Sequence, residues 1–154
     1  MTNWDSRALA VVQQLRRSGH QAVLVGGCAR DSLLSIPPHD YDVTTSALPW
    51  EILSCCAGFP CLNTGLKHGT VTVLSGGLSV EVTTFRREGS YSDHRHPDQV
   101  EFTSDLTDDL ARRDFTINAM AWGPEGLIDR FGGQEDLNAR LIRCVGDPDR
   151  RMEE

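Results

Sequence analysis

Apolar residues along this chain switch between helical and strand periodicity, and that switching predicts an α/β (α+β) fold. Two observations carry the prediction. Ala8, Val11, Val12 and Leu15 follow the i, i+3, i+4, i+7 spacing of a helix buried on one side. GTVTVL over 69–74 and SVEVTTF over 79–85 instead alternate residue by residue around Ser75-Gly76-Gly77-Leu78, the pattern of a hairpin. At 154 residues, 39% hydrophobic and 24% charged, the chain suits one soluble domain with a reasonable core.

Each element has its own local reason. Asp5 or Ser6 can cap the first helix, Arg16 and Arg17 suit the dipole of its last turn, and Gly19 ends it. Gln21 to Val25 reads as a buried strand. The chain breaks at Gly26-Gly27, resumes as a short helix from Cys28 to Leu34, and stops at Pro37-Pro38 before the extended segment His39 to Val43. Ser46 to Pro49 opens a helix that runs to about Cys56 and presents Trp50, Leu53 and Ile52 to the core. In the return strand of the hairpin, Glu81 and Thr83 share the face opposite Val80 and Val82. Asp105 to Arg113 forms an amphipathic helix with Leu106 and Leu110 inward. A strand at Leu127–Asp129, a Gly132-Gly133 turn, a helix near Gln134–Ala139 and a strand at Leu141–Val145 complete the order. Gly146-Asp147-Pro148 then breaks the chain. The expected division is a domain over 1–146 and, over 147–154, the beginning of a truncated helical segment.

The stretch VLVGGCARDSLLSIPPHDYDVTTSA, 23–47, concentrates the chemistry. On a strand, Asp40 and Asp42 project from one face and repel each other. A divalent cation resolves that repulsion, and Mg²⁺ favours a few carboxylates completed by substrate phosphates. Gly26-Gly27 offers a turn without Cβ atoms, where a phosphate can approach backbone N–H groups at a helix start. The two halves together imply a nucleoside triphosphate beside metal-binding carboxylates. If the hairpin lies next to the Asp40/Asp42 strand, Glu81 becomes a third carboxylate; an exposed glutamate on a sheet face fits equally well. In ARRDFTINAM, 111–120, an Arg pair beside an Asp and an Asn must find partners among apolar neighbours. Internal Arg–Asp bridging suits Arg112 or Asp114, whereas phosphate suits the fork of Arg113.

Other classes are disfavoured. No apolar run reaches membrane-span length, and the N-terminal residues lack the apolar segment of a signal peptide. Cys28, Cys55, Cys56, Cys61 and Cys144 contain no CxxC pair, which points to reduced thiols in a cytosolic compartment. A net charge of −7 argues against broad, nonspecific nucleic-acid binding by these residues alone. GGxxR lacks the third glycine of a dinucleotide fingerprint, and no GxSxG is present. RREGSYSDHRHP, 86–97, reads as a long mobile loop. Its His94 and His96 lack the further ligands of a zinc site, so Tyr91 and Arg95 contact substrate or simply connect.

LVGGCARDSLL, PHDYDVTTSA, TGLKHGTVTV, EVTTFRREGSYSDHRHPDQVEF, DLARRDFTINAMAW, IDRFGGQEDL and IRCVGDP, in that order, closely resemble the class II tRNA nucleotidyltransferases. These are the CCA-adding enzymes and bacterial poly(A) polymerases of the polymerase β-like superfamily. The resemblance runs from about Gly19 to Glu154. It implies the nucleotidyltransferase head fold, a mixed β-sheet flanked by helices, with 147–154 opening the neck. It also implies cytoplasmic, Mg²⁺-dependent addition of CMP and AMP, from CTP and ATP, to the 3′ end of tRNA, with no membrane partner. By the same resemblance Gly26, Gly27 and Arg30 belong to the nucleotide-binding GGxxRD element, and Asp40 and Asp42 to the catalytic, metal-binding DxD. Arg113, Asp114 and Asn118 belong to the nucleotide-contacting RRDFxxNA motif, and Glu81 stands where the family can supply a third catalytic acid. The family's base-reading EDxxR motif would start where this chain ends. Poly(A)- or A-adding activity, and a catalytically silent nucleotide- or metal-binding module, are the alternatives. The loop over 86–97 favours CCA or A addition over CC addition alone. Oligomeric state is not readable from these residues.

Overall fold

A computed structural model describes residues 4–38, 40–62, 65, 68–87, 101–123 and 126–146. Asp5 caps helix α1 (Ser6–Arg17) by accepting from the Arg7 amide at 2.9 Å. At the other end Gly19, with φ +92°, lets its own amide bond Arg16 O and the His20 amide bond Leu15 O, a Schellman ending. The chain continues through β1 (Ala22–Val25), α2 (Gly27–Leu33), β2 (Tyr41–Thr45) and α3 (Pro49–Cys55). The short β3 (Cys61–Leu62) precedes the hairpin β4 (Thr70–Ser75) and β5 (Leu78–Thr84). A separate two-stranded ribbon pairs β6 (Arg86–Arg87) with β7 (Glu101–Phe102). After α4 (Leu106–Ala111) and a 3-10 turn at Thr116–Asn118 come β8 (Met120–Gly123), β9 (Gly126–Asp129) and α5 (Gly133–Asn138).

Among the described residues seven strands form one sheet in the order β3-β4-β5-β2-β1-β8-β9. Of these pairs β2 and β5 run parallel and the others antiparallel, so the sheet is mixed, as expected. Side-chain alternation divides the sheet into two unlike faces. On one, Leu24, Tyr41, Val43, Val71, Val73, Val80 and Val82 meet Val11 and Leu15 of α1 and Ile52 of α3 in the main core. On the other, Val23, Val25 and Ala121 meet Leu110 of α4 in a smaller cluster, with Leu106, Ile128 and Phe131 packed against it.

Several expectations need correction. Trp50 is 67% exposed, while Ile52 and Cys56, one helical turn apart, are buried. Ile52 and Cys56 turn one face of α3 to the core, and Trp50, about 200° around the helix from Ile52, faces outward. Leu141–Val145 is not a strand. Its only ladder contact among the described residues is an isolated bridge, Phe115 to Cys144, and Leu141 and Ile142 are exposed. Those residues pair with the turn around Asp114–Thr116, through Thr116 N to Arg143 O and Val145 N to Asp114 O, not with a strand. The segment after Phe85 is not all loop, since Arg86–Arg87 pairs with Glu101–Phe102. His39, Tyr91, His94, Arg95, His96 and 147–154 lie outside the described residues.

Candidate active site

The carboxylates take their positions from strand register. In β2, Asp42 stands opposite Val25 of β1 and Glu81 of β5. Glu81 therefore does lie beside the Asp42 strand, on the same face. Its Oε1 accepts from Thr72 Oγ1 at 2.8 Å, across the hairpin. Asp40 is exposed and immediately precedes β2. Burial raises the pKa of Asp42 above the ordinary carboxylate range; Arg113 opposes the shift, while Glu81 and Asp40 reinforce it. Those influences place all four charged groups in one electrostatic neighbourhood. Among the described residues, no three or more His, Cys, Asp or Glu side chains converge to hold a metal by themselves.

Gly26 makes the bend that closes the other side. Its φ of 72° and ψ of −135° lie where only glycine sits comfortably, and its amide donates to Met120 O at 3.3 Å. Helix α2 starts directly after it and carries Arg30 one turn on. Arg30 Nη1 donates to Asn118 Oδ1 at 2.9 Å, and its Nε to Asp31 at 3.2 Å. Arg113, just past the end of α4, places Nη1 within 3.7 Å of the point a Cβ on Gly26 would occupy. Gly26, Gly27, Arg30, Asp42, Arg113, Asp114 and Asn118 all line one groove of about 350 Å³, with Arg112 added. Asp40 and Glu81 are outside that lining. A larger cavity of about 440 Å³ lies near Arg16, Gln21, Phe85 and Arg130, and none of the expected site residues lines it. Size therefore does not select the site; the convergence of chemistry does.

Arg–Asp bridging also occurs, but through Asp109 rather than Asp114. Asp109 is fully buried and takes Arg112 Nε at 3.3 Å and Arg113 Nη2 at 3.2 Å. Burial pulls the Arg112 pKa down to about 10, against the attraction of Asp109, so it remains a cation at neutral pH. Sequence reasoning passed over Asp109 because an acid on an amphipathic helix reads as solvent-facing. It also passed over Thr44 and Thr72, whose hydroxyls bond Asp109 and Glu81. Cys28, behind the glycine bend, donates to Val25 O, and burial pushes its thiol up to about 11. It is a packed thiol, not a nucleophile. The arrangement suits binding a polyanion beside carboxylates, with no covalent intermediate.

The chain has relatives of known family. The Poly A polymerase head domain family matches residues 22–143. A CCA-adding enzyme of Lactobacillus helveticus is 50% identical over 149 residues, which is 96% of this chain and 37% of that protein. The crystal structure of the Bacillus stearothermophilus CCA-adding enzyme in complex with CTP superposes with a TM-score of 0.84 at 43% identity, over 97% of this chain and 35% of that one. The Thermotoga maritima CCA-adding enzyme complexed with tRNA gives a TM-score of 0.70 at 29% identity, over 90% and 32%. This chain thus spans little more than a third of the curated relatives it matches. Among the described residues no helix is long and apolar enough to cross a membrane. Sequence, topology and groove converge on one conclusion: the chain belongs to the Poly A polymerase head domain family, alongside the CCA-adding enzymes.

Proposed function

We propose that this chain is the catalytic head of a template-independent RNA nucleotidyltransferase that adds CMP and AMP, from CTP and ATP, to the 3′ end of tRNA. The observation that carries the reading is the single groove in which the glycine bend, Arg30, Arg113 and Asn118 face Asp42. Similarity to CCA-adding enzymes, one bound to CTP and one to tRNA, supplies the substrate class.

The residues fit Mg²⁺. The donor set is all oxygen, and at Asp42 burial with two like-charged neighbours outweighs the Arg113 cation, so a further positive charge is favoured there. Two aspartates flanking Tyr41 also suit an ion that takes one or two carboxylates and completes its shell on substrate phosphates. Asp40 and Asp42 would hold it, with Glu81 alongside. When bound, the ion supplies Lewis-acid activation of the attacking hydroxyl and charge stabilisation at the leaving oxygen. The 3′-hydroxyl of the RNA gives up its proton to solvent as its oxygen bonds to the α-phosphorus, and the bond from that phosphorus to the leaving pyrophosphate oxygen breaks. Arg113 and Arg30 offer guanidinium N–H groups to phosphate and sugar oxygens, and the Gly26-Gly27 bend leaves room for them. Asn118 fixes Arg30 by accepting from it, and Asp114 presents a carboxylate at the groove edge. Positioning and electrostatics account for the chemistry, and no protein nucleophile is required.

A direct test grafts this chain onto the remaining length of the Lactobacillus helveticus relative and supplies tRNA lacking its 3′ CCA. CMP and AMP incorporation should appear, and Asp40→Ala or Asp42→Ala should each remove it. Undiminished incorporation by both variants would refute the assignment of the carboxylates.

A further inference from the structure

We infer that Asp109 is a positioning residue for the nucleotide: a buried carboxylate that fixes one end of the Arg113 guanidinium so that the other faces the groove beside Gly26. The inference rests on the nucleotide site proposed above and assigns a role to a residue that does not itself line the groove.

Asp109 has no solvent exposure, so its charge must be satisfied within the protein. Each oxygen takes two donors. Oδ1 accepts from the Arg86 amide at 2.8 Å and Arg112 Nε at 3.3 Å; Oδ2 accepts from Thr44 Oγ1 and Arg113 Nη2, both at 3.2 Å. These donors come from three places: the root of the β6–β7 ribbon, the end of α4, and strand β2 two residues beyond Asp42. Asp109 thereby ties the arginines to the strand that carries the candidate metal ligand.

Arg113 is held as a bridge. Nη2 is on Asp109, Nη1 lies against the Gly26 bend, and Nε is buried without a hydrogen-bond partner. A guanidinium clamped at one nitrogen loses little further freedom when an anion reaches Nη1. The groove also carries cations for an anion to meet. Arg30, Arg112 and Arg113 all line it, and the latter two share Asp109, a carboxylate that does not. Three guanidinium groups beside Asp42 suit the phosphates of a nucleoside triphosphate held together with a cation.

Calorimetric titration of CTP with Mg²⁺ into the chain tests the inference through a double-mutant cycle. Asp109→Asn should weaken binding about tenfold and Arg113→Met about a hundredfold, and the double variant should bind no worse than Arg113→Met alone, because Asp109 acts through Arg113. A purely structural Asp109 would instead impose its loss on the Arg113→Met background too, and that result overturns the inference. Melting curves establish that each variant is folded. If Asp109→Asn does not fold, Asp109→Glu keeps the buried charge, shifts the carboxylate by one methylene, and should still weaken CTP binding in the wild-type background only. Wild-type binding of CTP together with unchanged affinity in the Asp109 variants would overturn this inference alone. Absence of any CTP binding by the wild-type chain would overturn the nucleotide site itself, and this inference with it.

Discussion

Where the sheet is built of β2, β4 and β5, its two faces do opposite work. On the covered face, Leu24, Val43, Val71, Val73, Val80 and Val82 are sealed beneath α1 and α3, and the buried Ser75 and Thr84 at the strand ends share that face, Thr84 donating its hydroxyl to Ala47 O. On the other, β2, β4 and β5 present Thr70, Thr72, Glu81 and Thr83 beside Asp42 and Thr44, while β1 stays apolar beneath α4. These polar groups bond across the strands, Thr70 to Thr83 at 2.9 Å and Thr72 to Glu81 at 2.8 Å. The period of two allows both outcomes from one backbone: one residue in two funds stability, and its neighbours are free to hold charge. Like charges on the polar face cost stability, which the apolar face can offset.

That contrast can be broken by substitution. Asp42→Ala on the polar face should lower nucleotide incorporation by the grafted enzyme at least about a thousandfold, while its melting temperature should not fall. Leu24→Ala on the covered face should do the reverse, losing about 3 kcal/mol of stability in denaturant titration while leaving the groove intact. If both variants lost stability alike, the division of labour would be wrong. Gly26→Ala sharpens the comparison, because that residue serves both purposes. Forcing a side chain onto its backbone conformation should cost about 1–3 kcal/mol and weaken CTP binding in the same variant, as melting and calorimetry would show. A smaller effect follows from the Asp42 carboxyl itself. Burial raises its pKa above the unfolded value of 3.8, so the folded chain holds that proton more tightly. Its contribution to stability is complete below the unfolded value and is lost as pH rises through the raised folded one. Asp42→Asn should therefore flatten this part of the pH–stability profile and melt no lower than wild type at neutral pH without metal. The smallest effect is expected at Trp50, whose replacement by Ser should change stability by less than about 0.5 kcal/mol.

Much of this was legible in the residues because it depends on local periodicity. Alternation in GTVTVL and SVEVTTF fixed both the hairpin and the face of Glu81, and the glycine pair marked the bend before α2. Where tertiary pairing decides, the residues were silent or misleading. LIRCV is apolar enough for a strand, yet its neighbour in space is a turn around Asp114, so no ladder forms. Strand β8, MAWG, lacks β-branched residues and exists because β1 and β9 flank it. Trp50 reads as core by hydrophobicity, but the packing of Ile52 and Cys56 against the sheet leaves it on the outer face of α3. Asp109 illustrates the same limit at the site. Its spacing to Arg112 and Arg113 is visible on the helix, whereas its burial depends on Thr44 and Arg86, distant in sequence.

Electron paramagnetic resonance of Mn²⁺, used in place of Mg²⁺, addresses the polar face most directly. With CTP present, wild-type chain should immobilise the ion, and Asp42→Ala should return the spectrum to that of Mn²⁺ with CTP in solution. An immobilised signal of equal strength in the Asp42→Ala variant would contradict the account.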